Sequence, residues 1–293
     1  MPGLFHEPLS RKGFLTAVAG AGLSALPGSL ARAQAADAVN IALLSDTHIP
    51  ADAANEFRGF RPVANLKQIV PEVAASQPDV AIINGDAARL TGEKDDYLAL
   101  KGLLAPIATQ TPIYIGLGNH DDRANFFDVF TRDGTAPKLV KGKHVAVIER
   151  PGVRILVLDS LLYVDRVAGL LGKSQRDWLA QFLASSDDRP HVLFVHHTLG
   201  DGDGDLLDVD RLFHILEPHR KVKAIFFGHS HVYSFDRRRH IHLVNLPAVG
   251  YNFADNQPVG WVQARFAAAG VALTLHAVGG MRDEDGVTTS IAW

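Results

Sequence analysis

The sequence predicts an α/β protein made of two packed, mixed β-sheets with helices on the outside. Short apolar runs alternate with longer amphipathic stretches, a pattern typical of strands connected by helices. Later strand-like runs mostly follow one another without a helix between them, which disfavours a purely parallel sheet. Of the 293 residues, 47% are hydrophobic, which is enough for one large core. We therefore expect one domain over residues 37–293.

The elements follow from hydrophobic periodicity and from turn residues. The predicted strands that precede polar motifs are Val39–Leu44 and residues 80–83, 113–117, 192–195 and 224–227. Further strands are predicted at residues 145–148, 155–158, 241–246 and 261–266. Helices are predicted at residues 63–75, 95–104 and 174–184 and at Val209–Leu216. Ser174, with Asp177 three residues later, predicts an N-cap at the start of the third helix.

Residues 1–35 predict an export signal rather than part of the fold. Arg11-Lys12 precedes a mildly apolar run over residues 14–30, and Ala33-Gln34-Ala35 has the small-x-small form of a cleavage site. Lys12 replaces the second Arg of a twin-arginine motif, so the twin-arginine and the ordinary secretory routes both stay open. A membrane anchor or a core helix is the alternative, but Pro27 and the shortness of the run disfavour a span. We expect a periplasmic or secreted protein that uses export machinery and has no stable membrane anchor.

Composition narrows the chemistry of the expected domain. The formal net charge of −3 gives no basic surface of the kind that binds nucleic acid. The absence of cysteine excludes disulfides, thiolate metal sites and a cysteine nucleophile. A metal would have to be held by nitrogen and oxygen ligands, and 14 histidines make such a site possible.

Polar side chains follow five of the predicted strands, at the point where each strand ends. In order along the chain they are Asp46 and His48; Asp86; Asn119, His120 and Asp121; His196 and His197; and His229 and His231. One carboxylate after one strand is usually a cap or turn residue. In α/β sheets, however, ligand sites gather beyond the carboxyl ends of the strands. Five such strand ends therefore predict one shared site.

The five blocks, in this order, resemble the calcineurin-like metallophosphoesterases. They are Asp-x-His, Gly-Asp, Gly-Asn-His-Asp, His and Gly-His-x-His. Within that superfamily, the Gly-Asn-His-Asp-Asp-Arg run that ends at Arg123 and the later Leu158-Asp159-Ser160 are similar to bacterial class III cyclic-nucleotide phosphodiesterases. The resemblance covers nearly all of residues 37–293 and implies a four-layer αββα sandwich. One departure is Thr198, where the family often has Pro after the His-His pair.

The resemblance also implies two metal ions. Asp46, His48, Asp86 and His231 are expected to bind the first, and Asp86, Asn119, His196 and His229 the second, with Asp86 bridging both. Carboxylate and imidazole ligands suit Mn, Fe or Zn rather than Ca. His120 is similar to the family histidine that protonates the leaving oxygen or stabilises the phosphoryl charge. Asp121 either orients His120 or is an exposed loop carboxylate. His197 either supports the site or faces the substrate, or it simply packs in the core.

The expected reaction is hydrolysis of a phosphodiester, such as a cyclic nucleotide or a glycerophosphodiester, by in-line attack of a metal-bridging hydroxide. A phosphomonoesterase of the same fold is one alternative, and a non-catalytic exported metal-binding protein is another. The complete ligand set and His120 argue against the second alternative. Residues 50–61 and the acidic loop 201–205 are candidate walls of the substrate site. If the acidic loop lies near the metals, its charge disfavours highly anionic substrates and so favours diesters.

Overall fold

Twelve strands and five helices form the parts of the chain that the computed structural model describes, residues 38–130 and 139–293. The strands, in chain order, are β1 (Val39–Leu44), β2 (Val80–Asn84), β3 (Ile113–Gly116), β4 (Ala146–Arg150), β5 (Val153–Val157), β6 (His191–Phe194), β7 (Val222–Phe227), β8 (Ser234–Arg238), β9 (Ile241–Asn245), β10 (Pro258–Ala267), β11 (Gly270–Gly280) and β12 (Thr288–Ala292). The helices are α1 (Pro62–Ala75), α2 (Lys94–Ala108), α3 (Arg123–Phe130), α4 (Lys173–Ser185) and α5 (Val209–Leu216).

The strands form two six-stranded mixed sheets, as the strand pattern predicts. The first sheet has the order β12-β11-β10-β1-β2-β3, and the second has the order β4-β5-β6-β7-β9-β8. In the first sheet β1, β2 and β3 are parallel, whereas β10 pairs antiparallel with β1. In the second sheet β5, β6, β7 and β9 are parallel. Two sets of parallel strands therefore deliver their carboxyl ends to connecting loops.

Alternation along each strand sorts the side chains into three apolar layers. Leu43 of β1 and Phe194 of β6 lie in the same cluster, which fills the space between the two sheets. Leu44 joins a cluster with residues of α1, α2 and α3, and Leu193 joins one with residues of α4 and α5. Successive side chains of a strand point to opposite faces, so each sheet is covered on both sides. The predicted four-layer αββα sandwich is confirmed.

The predicted cap of the third helix is wrong. Helix α4 begins at Lys173, one residue before Ser174. Its N-cap residue is Gly172, which has no side chain to accept a hydrogen bond from the helix. Instead, the carboxylate of Asp208 accepts the backbone N–H groups of Leu171 and Gly172, each at 3.0 Å. A carboxylate brought in from the loop before α5 therefore satisfies the amides at the start of α4.

Two expectations concern the membrane and the N-terminus. Within residues 38–130 and 139–293, none of the helices combines the length and the apolar character that a membrane crossing requires. The predicted export signal, residues 1–35, lies outside the described residues.

Candidate metal centre

The seven predicted metal ligands lie beyond the carboxyl ends of strands from both sheets. Strands β1, β2 and β3 of the first sheet and β6 and β7 of the second precede them. Backbone bonds join the loops: the N–H of Asp46 donates to the carbonyl of Gly85 at 3.1 Å, and that of Gly228 donates to the carbonyl of His196 at 2.9 Å. The N–H of His229 reaches across the sheets to the carboxylate of Asp46, at 3.1 Å. The predicted convergence of five strand ends is therefore present.

Asp46, His48 and His231 form what we name the first metal group, with donor atoms within 4.8 Å of one another. The Nε2 atoms of His48 and His231 are 3.1 Å apart. The Nδ1 atom of His48 lies 3.3 Å from the carbonyl of Arg89, and that of His231 lies 2.6 Å from the carbonyl of Tyr251. Because a carbonyl only accepts, both Nδ1 atoms carry protons and both Nε2 atoms present lone pairs. Two lone pairs at this distance repel each other, and a cation bound between them would remove that repulsion.

We name the predicted ligands Asp86, Asn119, His196 and His229 the second metal group. The donor atoms of Asp86, His196 and His229 lie within 4.8 Å of one another. His196 donates through Nδ1 to the carbonyl of Asn84 at 2.9 Å, and His229 donates through Nε2 to the carbonyl of Gly204 at 3.1 Å. Metal-binding histidines commonly donate their second nitrogen to a carbonyl in this way. The imidazoles of this group therefore have His196 Nε2 and His229 Nδ1 left to bind metal.

Two buried atoms of the second metal group have no hydrogen-bond partner. They are Asn119 Oδ1 and His196 Nε2. Buried polar atoms are almost always paired, because leaving one unpaired costs about 1–3 kcal/mol. A metal ion bound to the oxygen and the nitrogen would satisfy both atoms. The residues present therefore fit the metal ions that the sequence predicts.

The electrostatics of the buried carboxylates also favour a cation. Burial opposes ionisation of Asp46 and Asp86, but His196 and the other neighbouring histidines together outweigh burial and hold the pKa of both carboxyls below their usual range. Burial likewise opposes protonation of His196, yet Asp86 and Asp46 raise the pKa of its ring to about 10, so without metal its Nε2 carries a proton that a bound metal ion would displace. Burial lowers the pKa of His48 to about 3 and that of His229 to about 4, so both rings are neutral, as metal binding requires.

Five of the seven ligands have a left-handed backbone conformation. The φ angles are +51° for Asp46, +46° for His48, +45° for Asp86, +70° for His229 and +53° for His231. This region is uncommon for residues other than glycine, and such outliers cluster at functional sites. The conformation turns the chain sharply just after each strand, which brings side chains of different strands into one pocket.

His120, one of the two predicted catalytic residues, adjoins the metal groups. One of its ring nitrogens lies within 4.8 Å of donor atoms of His48 and Asp86. Its Nδ1 lies 2.7 Å from the carbonyl of Leu90, so Nδ1 carries a proton and Nε2 remains available. Its side chain is 20% exposed, whereas six of the seven predicted ligands are buried and His229 is partly buried.

Asp121, the other predicted catalytic residue, has different contacts from those expected. It is fully buried rather than exposed, and it accepts the N–H groups of Ala87, Ala88 and Gly118 and the hydroxyl of Tyr97. None of these described hydrogen bonds leads to His120. Burial and then the charge of Asp86 raise the pKa of Asp121 to about 6. Asp121 is therefore a residue that positions the two loops.

His197, whose role was open between support and packing, is buried beside the second metal group. Its Nδ1 lies 2.7 Å from the hydroxyl of Ser160, and its ring centroid lies 4.8 Å from that of His229. The ring therefore packs against a ligand and holds it in place. The backbone carbonyls that orient the other rings, those of Arg89, Tyr251 and Gly204, have no sequence signal, because any residue supplies one.

Gly118 leaves no room for a side chain beside the second metal group. A Cβ atom at this position would lie 2.6 Å from the backbone nitrogen of Asp86 and 2.7 Å from Cδ2 of His196. We expect Gly118→Ala to displace these ligands and lower kcat/KM about 10²-fold, since a shift of about 1 Å has effects of that size. Metal analysis should show a parallel loss of bound metal.

Gly102→Ala is the matched control for Gly118→Ala. A Cβ atom at position 102, in α2, meets no atom within 4 Å, and alanine favours helix. Its activity should equal that of the unmodified protein. Full activity and full metal content in Gly118→Ala would contradict the predicted ligand positions.

Comparison with known proteins agrees with this geometry. Residues 39–233 match the family described as calcineurin-like phosphoesterase. The chain is 28% identical over 220 residues to the 3',5'-cyclic adenosine monophosphate phosphodiesterase CpdA of Pseudomonas aeruginosa, covering 72% of this chain and 76% of that protein. It is 27% identical over 235 residues to the glycerophosphodiester phosphodiesterase GpdQ of Enterobacter lignolyticus, covering 74% and 81%.

Among solved structures, the fold is similar to that of a dimetal phosphatase from Danio rerio. The TM-score is 0.67 at 14% sequence identity, and the match covers 87% of this chain and 99% of that one. At this identity the likeness shows a shared fold. The family match, by contrast, extends over more than half of the chain and includes all seven predicted metal ligands. The chain therefore belongs to the calcineurin-like phosphoesterase family, as the order of its motifs predicts, and is a metal-dependent hydrolase of phosphate esters.

Proposed function

We propose that the protein hydrolyses phosphodiesters, with two ions of Mn, Fe or Zn as cofactors. The observation that carries this proposal is the orientation of four imidazoles. Each of four rings donates one N–H to a backbone carbonyl, and its other nitrogen lies near a buried carboxylate. The four are His48, His196, His229 and His231. Nitrogen and oxygen ligands of this kind suit these three metals.

The bound metals would polarise the phosphoryl oxygens and lower the pKa of bound water from about 15.7 towards 7. The protein's own residues hold and orient the reacting groups. Asp86 lies between the two metal groups, because its Oδ2 lies 3.3 Å from Nε2 of His196 and 3.8 Å from Nε2 of His48. Its Oδ1 also accepts the backbone N–H of His120, at 2.9 Å. One carboxylate therefore couples both metal groups to the His120 loop.

His120 holds the proton that the leaving oxygen needs. Its Nδ1–H donates to the carbonyl of Leu90, so a second proton on the ring would reside on Nε2. The partly exposed ring can transfer that proton to an oxygen of the ester, and groups of this kind contribute about 10²–10⁴-fold. This assignment supports an enzyme rather than a non-catalytic metal-binding protein.

Charge near the second metal group favours diesters over monoesters. The acidic loop 201–205 touches this group, because the carbonyl of Gly204 accepts Nε2–H of His229 at 3.1 Å. Asp201 and Asp203 of the loop are exposed. A monoester carries one more negative charge than a diester, so the loop repels it more strongly. The two relatives, both phosphodiesterases, support the same preference.

A panel of esters and metals tests the proposal. Protein loaded with Mn, Fe or Zn is assayed with bis(p-nitrophenyl) phosphate and with p-nitrophenyl phosphate. We expect faster turnover of the diester with at least one metal. Faster turnover of the monoester would support a phosphomonoesterase of the same fold. Failure to hydrolyse either ester with any metal would contradict the proposed activity.

Replacing His120 tests its role as a proton donor. We expect His120→Gln to lower kcat about 10²–10⁴-fold for a diester with an alkoxide leaving group, which must be protonated. The loss should be smaller for bis(p-nitrophenyl) phosphate, because nitrophenolate is a stable anion. His214→Gln, at an exposed position of α5, is the control and should have normal kinetics. Equal losses for both esters would contradict proton donation.

We further propose that the protein is exported and acts in the periplasm or outside the cell. The charged start, the apolar run and the Ala33-Gln34-Ala35 site in residues 1–35 support export. N-terminal sequencing of the protein from separated cell fractions tests this proposal. Recovery of the uncleaved chain from the cytoplasm alone would contradict it.

A further inference from the structure

Two exposed aromatic rings, those of Phe57 and Phe253, lie beside the first metal group. Phe253 stacks on the ring of His231, with centroids 4.3 Å apart and planes 22° apart, yet it remains 50% exposed. Phe57, 39% exposed, packs on Tyr251 with centroids 4.7 Å apart. Tyr251 in turn contacts the rings of both His48 and His231, each at 4.8 Å. The exposed rings are therefore one or two contacts away from metal ligands.

A cationic side chain completes this surface. The guanidinium carbon of Arg89 lies 5.1 Å from the ring centroid of Phe57 and 5.6 Å from that of Tyr251. Its Nε donates to Oδ1 of Asn55 at 3.2 Å, and its carbonyl is the one that accepts Nδ1–H of His48. The cation is therefore fixed in place relative to the first metal group.

The surface is held rigidly at both ends. The guanidinium of Arg58 donates to the carbonyl of Phe253 at 2.8 Å, which links the segment of Phe57 to the segment of Phe253. The carbonyl of Tyr251 is held by Nδ1–H of His231 at 2.6 Å. Large aromatic side chains are normally buried, so two exposed rings in a fixed arrangement beside a metal centre indicate a binding surface.

We propose that Phe57, Arg89, Tyr251 and Phe253, named here the aromatic wall, form a subsite for a planar aromatic group carried by the phosphate ester, such as a nucleobase. The inference rests on the proposed phosphodiesterase function. Bases stack on aromatic side chains and on Arg, and each such contact contributes about 1–3 kcal/mol. An ester bound at the metal ions places its organic group next to this wall.

The two sides of the metal centre differ in a way that orients the substrate. The aromatic wall contacts the first metal group through His48 and His231, whereas the acidic loop 201–205 contacts the second through His229. A planar, uncharged ring fits the first side, and added negative charge is disfavoured on the second. The wall therefore selects which organic group of a diester is bound at the first metal group.

Binding of two small phosphonates tests the wall without relying on turnover. Calorimetry of the metal-loaded protein compares phenylphosphonate with methylphosphonate, which has the same anionic group but no ring. We expect phenylphosphonate to bind about 5- to 100-fold more tightly, the factor that stacking provides. Phe253→Ala and Phe57→Ala should lose most of the preference for phenylphosphonate while keeping their metal content. Phe253→Tyr, which keeps an aromatic ring, should retain that preference.

Phe235→Ala is the matched control for the wall variants. Phe235 has the same exposure as Phe57, 39%, and its ring contact among the described residues is with Tyr233. Its phosphonate preference should equal that of the unmodified protein. Equal affinity for both phosphonates, or an unchanged preference in both wall variants, would overturn the proposed subsite.

Turnover separates failure of the subsite from failure of the proposed function. Adenosine 3',5'-cyclic monophosphate carries a nucleobase, and glycerophosphoethanolamine carries no ring. We expect Phe253→Ala to lower kcat/KM about 5- to 100-fold more for the first ester than for the second. Parallel losses for both esters would contradict the subsite. No turnover of either ester by the unmodified protein would contradict the function, while the phosphonate measurement would still decide the subsite.

Discussion

Asp86→Ala is expected to lower kcat/KM for bis(p-nitrophenyl) phosphate at least about 10³-fold. Metal ions contribute several kcal/mol to such reactions, and about 1.4 kcal/mol corresponds to a tenfold change. Asp86 approaches His48 in one direction and His196 in the other, and it also holds the backbone of His120. Its loss therefore weakens both metal groups and the His120 loop together. Steady-state kinetics and metal analysis of the purified variant provide the measurement.

Asp128→Ala is the matched control for Asp86→Ala. Asp128 is an exposed carboxylate on α3 that pairs with Lys94 at 3.3 Å, and surface pairs of this kind contribute little. This control should keep normal turnover and metal content. Normal turnover by Asp86→Ala, with two metal ions bound, would remove Asp86 from the metal centre and contradict the proposed mechanism.

Asp159→Ala is expected to lower the free energy of unfolding by about 3–5 kcal/mol, the usual effect of leaving a buried charge unpaired. Asp159 is fully buried, and its two oxygens accept Nε and Nη2 of Arg123, each at 2.7 Å. They also accept the backbone N–H groups of His144 at 2.7 Å and Leu161 at 3.0 Å. Without this carboxylate, the two amides lose their acceptor, and the largely buried Arg123 loses its charged partner and keeps the carbonyl of Leu161. Urea denaturation followed by tryptophan fluorescence measures the change.

Asp177→Ala supplies the comparison for Asp159→Ala. Asp177 pairs with Lys173 on the exposed face of α4, so its loss should change stability by less than about 1 kcal/mol. Equal stability of the two variants would show that the Asp159 network does not hold the fold. Arg123 follows the His120 loop, and Asp159 precedes Ser160, whose hydroxyl contacts His197. We therefore also expect reduced activity in Asp159→Ala.

Local patterns predicted the parts of the fold that bury their own side chains. The bounds of β1 (Val39–Leu44) and α5 (Val209–Leu216) were predicted to the residue, because each is an apolar or amphipathic run with clear ends. Strand β8 (Ser234–Arg238) was not predicted, since all five of its residues are exposed. Its antiparallel pairing with β9, the next strand along the chain, holds it in the sheet, and this pairing requires no apolar side chains in β8.

The candidate metal centre also has a part that the sequence predicts and a part that it does not. The convergence of Asp and His side chains was predictable, because several strands in turn end in such residues. The partners of Asp121 were not, because the amide of Ala87 and the hydroxyl of Tyr97 lie 34 and 24 residues away along the chain. Nor were Tyr251 and Phe253, whose aromatic side chains resemble ordinary core residues until the fold places them beside His231.

The left-handed backbone at the metal ligands has a consequence for redesign of this fold. Glycine, and to a lesser extent asparagine, adopts that conformation with less strain than aspartate or histidine. A variant with glycine at positions 48 and 231 would relieve strain at the two turns but would lose two predicted ligands and their ring packing. The strained turns are thus a cost in stability that this fold bears for the sake of its chemistry.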